Sequence, residues 1–139
     1  MSLAPHALTE LLTQAVARRA SDLHLSAGLA PRVRVHGRLT ALTPGSAAPL
    51  THKTLMQLLA EWMSDTQVAQ LQQGHEVDFA FAVTGLGRFR ANAFLQQHGC
   101  SVVIRHIPSG TPTLAALHTP AVLPDLLQHV GLLLVTGPT

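Results

Sequence analysis

The spacing of apolar and polar positions along this chain changes period several times, and each change marks a predicted element. Over residues 6–19, Leu8, Leu11, Leu12, Ala15 and Val16 recur at three-and-four spacing, which predicts a helix with one buried face and Arg18 and Arg19 in its last turn. Ser21-Asp22-Leu23-His24-Leu25-Ser26 then alternates, the period of a strand. After the turn-like Ala27-Gly28-Leu29-Ala30-Pro31, alternation resumes in Arg32-Val33-Arg34-Val35-His36, and beyond Gly37 a third short strand begins at Arg38-Leu39. Residues 43–49, with two prolines and a glycine, read as a loop. Thr51 can cap a helix to about Met63, with Leu55, Leu58, Leu59 and Trp62 on its apolar side. Ser64-Asp65-Thr66-Gln67 has capping-box spacing, so a second helix runs to about Gln73 and Gly74 ends it.

The second half reads as a meander. From Glu76 to Val83, Val77, Phe79, Phe81 and Val83 fall on one side; Thr84-Gly85-Leu86-Gly87 turns the chain, Arg88 to Gln96 returns, and Cys100 to Ile107 follows. Pro108 to Pro112 has linker composition, and a helix near Pro120–His129 leads into Gly131-Leu132-Leu133-Leu134-Val135-Thr136-Gly137. Four consecutive apolar residues there are patterned for a strand buried on both faces, which needs parallel neighbours that these residues do not include, so residues 131–139 are expected to lack a proper sheet. The fold class that follows is α+β: an antiparallel sheet with flanking helices over residues 1–107, a linker over 108–119, and a separate piece over 120–139.

Period two also places Arg88, Arg90 and Asn92 on one face of their strand, with Phe89, Ala91 and Ala93 on the other, and Arg105 on the next strand can join them. If Phe79 and Phe81 share the core side with Phe89 and Ala91, directly opposed pairs must have an even residue-number sum, and the hairpin loop an odd length. A five-residue loop, 83–87, is expected; it sets Ala82 opposite Arg88, Ala80 opposite Arg90 and Asp78 opposite Asn92. Guanidinium forks match phosphate oxygens, and Asn adds donors; the plain alternative is a solvent face whose arginines pair with Asp78 or Glu76. Asp22 and His24 share one face of the first strand, and Arg32, Arg34 and His36 one face of its partner. An Asp–His couple can act as a base and its orienter, yet no nucleophile accompanies it, and a structural Asp–Arg or Asp–His bridge is the simpler expectation.

Composition narrows the function classes. The 139 residues are 47% hydrophobic and 12% charged, enough apolar content for a core. No apolar run approaches the ~18 residues of a membrane span, and the first twenty lack a signal-peptide layout, so a cytoplasmic location is expected. Cys100 has no partner for a disulfide, which agrees with that compartment. The net charge is only +2, with eight Arg, a single Lys (Lys53), no Tyr, one Trp and four Phe. Non-specific nucleic-acid binders are usually Lys-rich or aromatic-rich, so no nucleic-acid partner is expected. The nine His lie apart, without ligand spacing for a metal.

Several segments together resemble one family: Ala20-Ser21-Asp22-Leu23-His24-Leu25-Ser26-Ala27-Gly28, Pro31-Arg32-Val33-Arg34-Val35-His36-Gly37, Asp78-Phe79, Arg88-Phe89-Arg90-Ala91-Asn92-Ala93-Phe94, Arg105-His106-Ile107-Pro108 and Leu133-Leu134-Val135-Thr136-Gly137-Pro138-Thr139. The chain is similar, along essentially its whole length, to the N-terminal part of PilT-type twitching-motility ATPases, motors that retract type IV pili. The resemblance implies a PAS-like domain at 1–107, a linker, and at 120–139 the start of a RecA-like ATPase domain. It implies a homo-hexamer in the full-length form, at the cytoplasmic side of the inner membrane beside a pilus platform protein. ATP and Mg²⁺ would serve the full-length parent. On this likeness Arg88, Arg90 and Arg105, with Gly137, Pro138 and Thr139 at the start of the phosphate loop, are the ATP-binding candidates. Asp22, His24, Arg32, Arg34, Asp78 and Asn92 are structural or interface candidates. The phosphate-loop Lys and the family's acidic catalytic groups have no counterpart in these residues, so this polypeptide alone is expected to take no cofactor and to hydrolyse no ATP. An alternative reading is a stand-alone PAS-like sensor or adaptor taking a small anion on the arginine face.

Overall fold

The computed structural model describes residues 7–45 and 48–137, which fall into two compact units divided between Ser109 and Gly110. In the first unit the chain runs α1 (Ala7–Ala17), β1 (Asp22–Ser26), β2 (Arg32–Val35), β3 (Arg38–Ala41), α2 (His52–Ala60), α3 (Asp65–Gln72), β4 (Val77–Val83), β5 (Gly87–Gln96) and β6 (Gly99–Ile107). The six strands form one antiparallel sheet in the order β3-β2-β1-β6-β5-β4. The last strand therefore returns to lie beside the first, and two sequence-local meanders become one sheet.

Alternation divides that sheet into an apolar and a polar face. Leu23 and Leu25 of β1, Phe89, Ala91 and Ala93 of β5, and Val102 and Ile104 of β6 point to one side, where they are buried with Leu8 and Leu12 of α1, Leu55 and Leu59 of α2, and Leu71 of α3. Buried alanines at 91 and 93 keep that surface shallow beneath the helices. Toward one end, Trp62, Phe81, Phe89 and His106 stack in sequence with ring centroids 4.7, 5.5 and 5.2 Å apart, contacts worth about 0.5–1.5 kcal/mol each beyond their burial.

Helix starts follow the side-chain chemistry. Thr51 Oγ1 accepts from the Thr54 amide at the head of α2, and Ser64 with Gln67 forms the full capping box of α3. Other boundaries differ from expectation. His6 lies outside the described residues, and α1 stops at Ala17, because Arg19 adopts a positive φ of 53° and the Arg19 and Ala20 amides turn back onto the Val16 and Ala15 carbonyls (2.9 and 3.0 Å), while the Arg18 guanidinium reaches the carbonyls of Ala41 and Leu42 (2.8 and 2.6 Å). His36 does not continue β2: with Gly37 it has positive φ and makes a two-residue hairpin loop into β3. The β4–β5 register is the expected one, with Ala82 opposite Arg88, Ala80 opposite Arg90 and Asp78 opposite Asn92. Its loop is shorter, however: Val83 pairs with Gly87, leaving Thr84, Gly85 and Leu86, and Leu86 N–H closes the turn on Val83 O at 3.0 Å.

In the second unit only a four-residue helix, α4 (Leu123–Leu126), forms within the expected 120–129 helix; Pro124 sits at its start and no side chain caps it. Residues 132–135 form no strand and are exposed, Leu132 at 83% and Val135 at 86%. Strand hydrogen bonds need a neighbour, and no other strand exists among the described residues of this unit.

The β5–β6 turn is pinned by His52, whose Nδ1 accepts from the Cys100 amide at 3.0 Å. At Gly99 φ is +117°, and an added Cβ would meet His52 Cβ at 2.8 Å. Gly99→Ala is expected to destabilise the chain by about 1–3 kcal/mol, combining backbone strain with overpacking. Urea unfolding of the two proteins, compared at constant m-value, measures it.

Candidate functional site: an arginine-bearing sheet face

The polar face carries the side chains opposite the core, and among the described residues of its unit no helix packs over it. Ladder pairing lines up one row of residues across four strands. Arg34 of β2 pairs with Asp22 of β1, Asp22 with Arg105 of β6, and Arg105 with Arg90 of β5. The next row sets Arg32 against His24, His24 against Val103, Val103 against Asn92, and Asn92 against Asp78. β5 also contributes Arg88, opposite Ala82 and Ile107.

Asp22 is the one buried charged residue among those described, at 4% exposure. Its Oδ1 accepts from Arg105 Nε at 2.8 Å; its Oδ2 accepts from the Ser21 hydroxyl at 2.8 Å and lies 3.9 Å from Arg34 Nε. Burial pushes the carboxyl pKa up, but the hydrogen bonds from Ser21 and Arg105, with the charges of Arg105 and His24, outweigh it and hold the group below its ordinary 3.8. His24 is not the partner of Asp22. Burial first, and then the charge of Arg34, lower its pKa against the pull of Asp22, and its Nε2 has no hydrogen-bond partner among the described residues. The bridge on this face is therefore Asp–Arg, and an Asp–His base is not assembled.

Arg90 and Arg105 stand directly opposite each other, although like charges at opposed positions cost about 0.2–1 kcal/mol. Each has a carboxylate beside it. Arg105 has Asp22; Arg90 has Asp78, with Nη2 to Oδ1 at 3.6 Å. The Asp78 pair is loose and exposed and contributes little. Glu76 does not take an arginine: its Oε1 accepts from Asn92 Nδ2 at 2.6 Å. Arg88 makes no ion pair among the described residues. Between these groups lies an open cleft of about 300 Å³ lined by Asp22, Asp78, Arg90, Asn92, Val103 and Arg105. Two guanidiniums more than two-thirds exposed, with an amide beside them, make it suited to an anion having several oxygens.

Five of the sequence candidates thus line one cleft: Asp22, Asp78, Arg90, Asn92 and Arg105. Arg34 approaches Asp22 from β2, Arg88 lies further along β5, and Arg32 and His24 are outside the lining. Gly137 belongs to the second unit, with no atom within 4 Å of where a side chain would start, and Pro138 and Thr139 lie outside the described residues. The sequence reading missed Ser21 as a donor to Asp22 and Val103 as the apolar floor of the cleft; the adjacent Ser-Asp pair at a strand start was the available signal for the first.

The depressed Asp22 pKa has a definite sign. Its stabilising contribution is present above the ordinary value of 3.8 and is lost as pH falls through the lower folded value. Asp22→Ala is expected to cost about 1–2 kcal/mol at pH 7, the value of a charge-assisted hydrogen bond discounted for the exposed Arg105. The difference from wild type should shrink steadily below pH 3.8, which denaturant unfolding across the acid range would follow.

No protein-family model matches the chain. It is 42% identical over 133 residues to the type IV pilus retraction ATPase PilT of Pseudomonas aeruginosa, covering 95% of this chain and 38% of that protein. It is 39% identical to the uncharacterized protein YggR of Escherichia coli (95% and 39%) and 34% identical to the type IV pilus ATPase PilU of P. aeruginosa (94% and 34%). The chain thus spans somewhat over a third of the length of these relatives. Among solved structures, the pilus retraction motor PilT with bound ADP superposes with a TM-score of 0.72 at 32% identity, over 86% of this chain and 34% of that one. The Legionella pneumophila ATPase DotB shares the fold, with a TM-score of 0.74 at 23% identity over 90% and 35%.

Proposed function

Because this chain is a homologue of the PilT-type pilus ATPases over their N-terminal part, we propose that its first unit is the regulatory and subunit-contact domain of a hexameric motor that retracts type IV pili. In this reading Arg90 and Arg105, flanked by Arg88, reach the phosphates of ATP held by a RecA-like domain, whose phosphate loop begins at Gly137. The domain occupies residues 1–107, residues 108–119 connect it, and residues 120–139 open the nucleotide-binding domain. The motor works at the cytoplasmic side of the inner membrane against a pilus platform protein; no helix among the described residues is long and apolar enough to cross a membrane.

The observation that carries the reading is the opposition of Arg90 and Arg105 on an uncovered sheet face. A fold that only needed stability would gain nothing from two guanidiniums facing each other across a ladder. An anion between them would relieve the repulsion and use both forks. The same cleft would serve a stand-alone sensor of a small anion, and the two readings separate on whether the arginines matter for nucleotide turnover.

That test uses a chimera, with residues 1–137 replacing the matching segment of P. aeruginosa PilT. Arg90→Ala is expected to lower ATP turnover about tenfold or more, the loss of one charge-assisted phosphate contact, with the far-ultraviolet circular dichroism unchanged. Full turnover in both Arg90→Ala and Arg105→Ala would refute the proposal.

A further inference from the structure

Arg90 and Arg105 face each other, yet they are held in different ways. Asp78, beside Arg90, is exposed and stands 3.6 Å from a terminal Nη. Asp22 is buried, fixed by the Ser21 hydroxyl, and accepts from Arg105 through Nε at 2.8 Å. A guanidinium has five donors in one plane. Engaging only Nε restrains the direction of the group at one donor and leaves both Nη nitrogens unused, and no hydrogen bond from either is found among the described residues. Arg105 also sits on β6, which the sheet clamps between β1 and β5, so its backbone has little freedom to compensate.

We propose that Asp22 is a positioning residue: it holds Arg105 by Nε so that the two Nη nitrogens present a preset fork to a phosphate group in the cleft shared with Arg90. This rests on the phosphate reading of the face and adds a specific role within it. Pre-orientation lowers the side-chain ordering cost of binding. Asp22 acts through Arg105 and need not touch the ligand.

The idea has an unusual sign. A carboxylate near an anion site repels the anion, so simple electrostatics demands that removing Asp22 tighten phosphate binding. Positioning demands the opposite wherever the hydrogen bond is lost. Asp22→Asn removes the charge but keeps an acceptor oxygen; Asp22→Ala removes both. Arg105→Lys leaves Asp22 intact and supplies one ammonium, which can pair with Asp22 or reach the phosphate but not do both.

The experiment is a titration of the 139-residue chain with inorganic tripolyphosphate at fixed low salt, followed by the arginine Nε–Hε resonances in nitrogen-15 NMR. In the wild type, Arg105 Nε–H should be shifted downfield and slow to exchange, and the Arg90 and Arg105 signals should move on titration. Asp22→Ala should lose the distinctive Arg105 signal and weaken binding about fivefold, the scale of one side chain's ordering cost; Arg105→Lys should weaken it comparably. Asp22→Asn should bind at least as tightly as wild type. If Asp22→Ala binds as tightly as wild type or more so, Asp22 is only a local charge and the inference fails while the phosphate reading stands. If tripolyphosphate leaves the wild-type Arg90 and Arg105 signals unmoved, the phosphate reading fails and takes the inference with it.

Discussion

The pairing of β1 with β6 is the constraint on which the rest of this structure depends. Each neighbouring ladder joins strands close in sequence, whereas Asp22 and Arg105 meet across most of the first unit. Closing that span carries a loop-entropy cost that grows only slowly with length. It is offset by what the pairing buries: Leu23 against Ile104 and Leu25 against Val102, all at most 1% exposed, beneath the helices that separate the two meanders in sequence. A slip of β1 by one residue would turn Leu23 and Leu25 to the polar face and Asp22 into the core. Register is therefore fixed by burial, and the arrangement of charges follows from it.

That arrangement is a line of alternating sign that breaks once. Arg34, Asp22 and Arg105 alternate, and then Arg90 follows Arg105 without an acid between them. Asp22 can stay charged at 4% exposure only because two hydrogen-bond donors, Ser21 and Arg105, and the nearby Arg34 guanidinium surround it, since a buried carboxylate without partners would be far more costly. The break sets the Arg105 and Arg90 guanidiniums side by side on a solvent-facing surface, each with one carboxylate beside it, next to the small side chains of Ala80 and Ala82. Both guanidiniums stay more than two-thirds exposed, so donors remain open to solvent there. The domain thus has a rigid apolar side that sets its geometry and a polar side available for a ligand or another domain.

Much of this was legible in the chain itself. Alternation at period two and recurrence at three-and-four determined which segments became strands and helices. Local chemistry determined the Thr51 cap, the Ser64–Gln67 box and the stop at Gly74, since these depend on residues within one turn. Parity limited the β4–β5 register to even residue-number sums, because Phe79 and Phe89 must share a face, and within that set the expected pairing of Ala82 with Arg88 is the one formed. The loop length was misjudged by two residues, since parity fixes odd or even but not three or five, and glycines at both 85 and 87 let the strands pair up to Val83. The absence of a strand at 132–135 was legible too, since an apolar pattern states a preference for burial and cannot supply the neighbour that satisfies it; the shortness of α4 was not, because a helix of that length depends on packing its sequence does not name.

What only the tertiary structure decided is which charges meet. Asp22 had His24, Arg32, Arg34 and more distant arginines as candidate partners, and the sequence places His24 on its own strand and face. The strand order chose Arg105, eighty-three positions away, by seating β6 beside β1. The same order set Arg105 against Arg90. Periodicity within a segment assigns each side chain to a face because that depends on local backbone geometry. Which faces become adjacent depends on long-range burial summed over the whole sheet, and no short stretch of the chain encodes it.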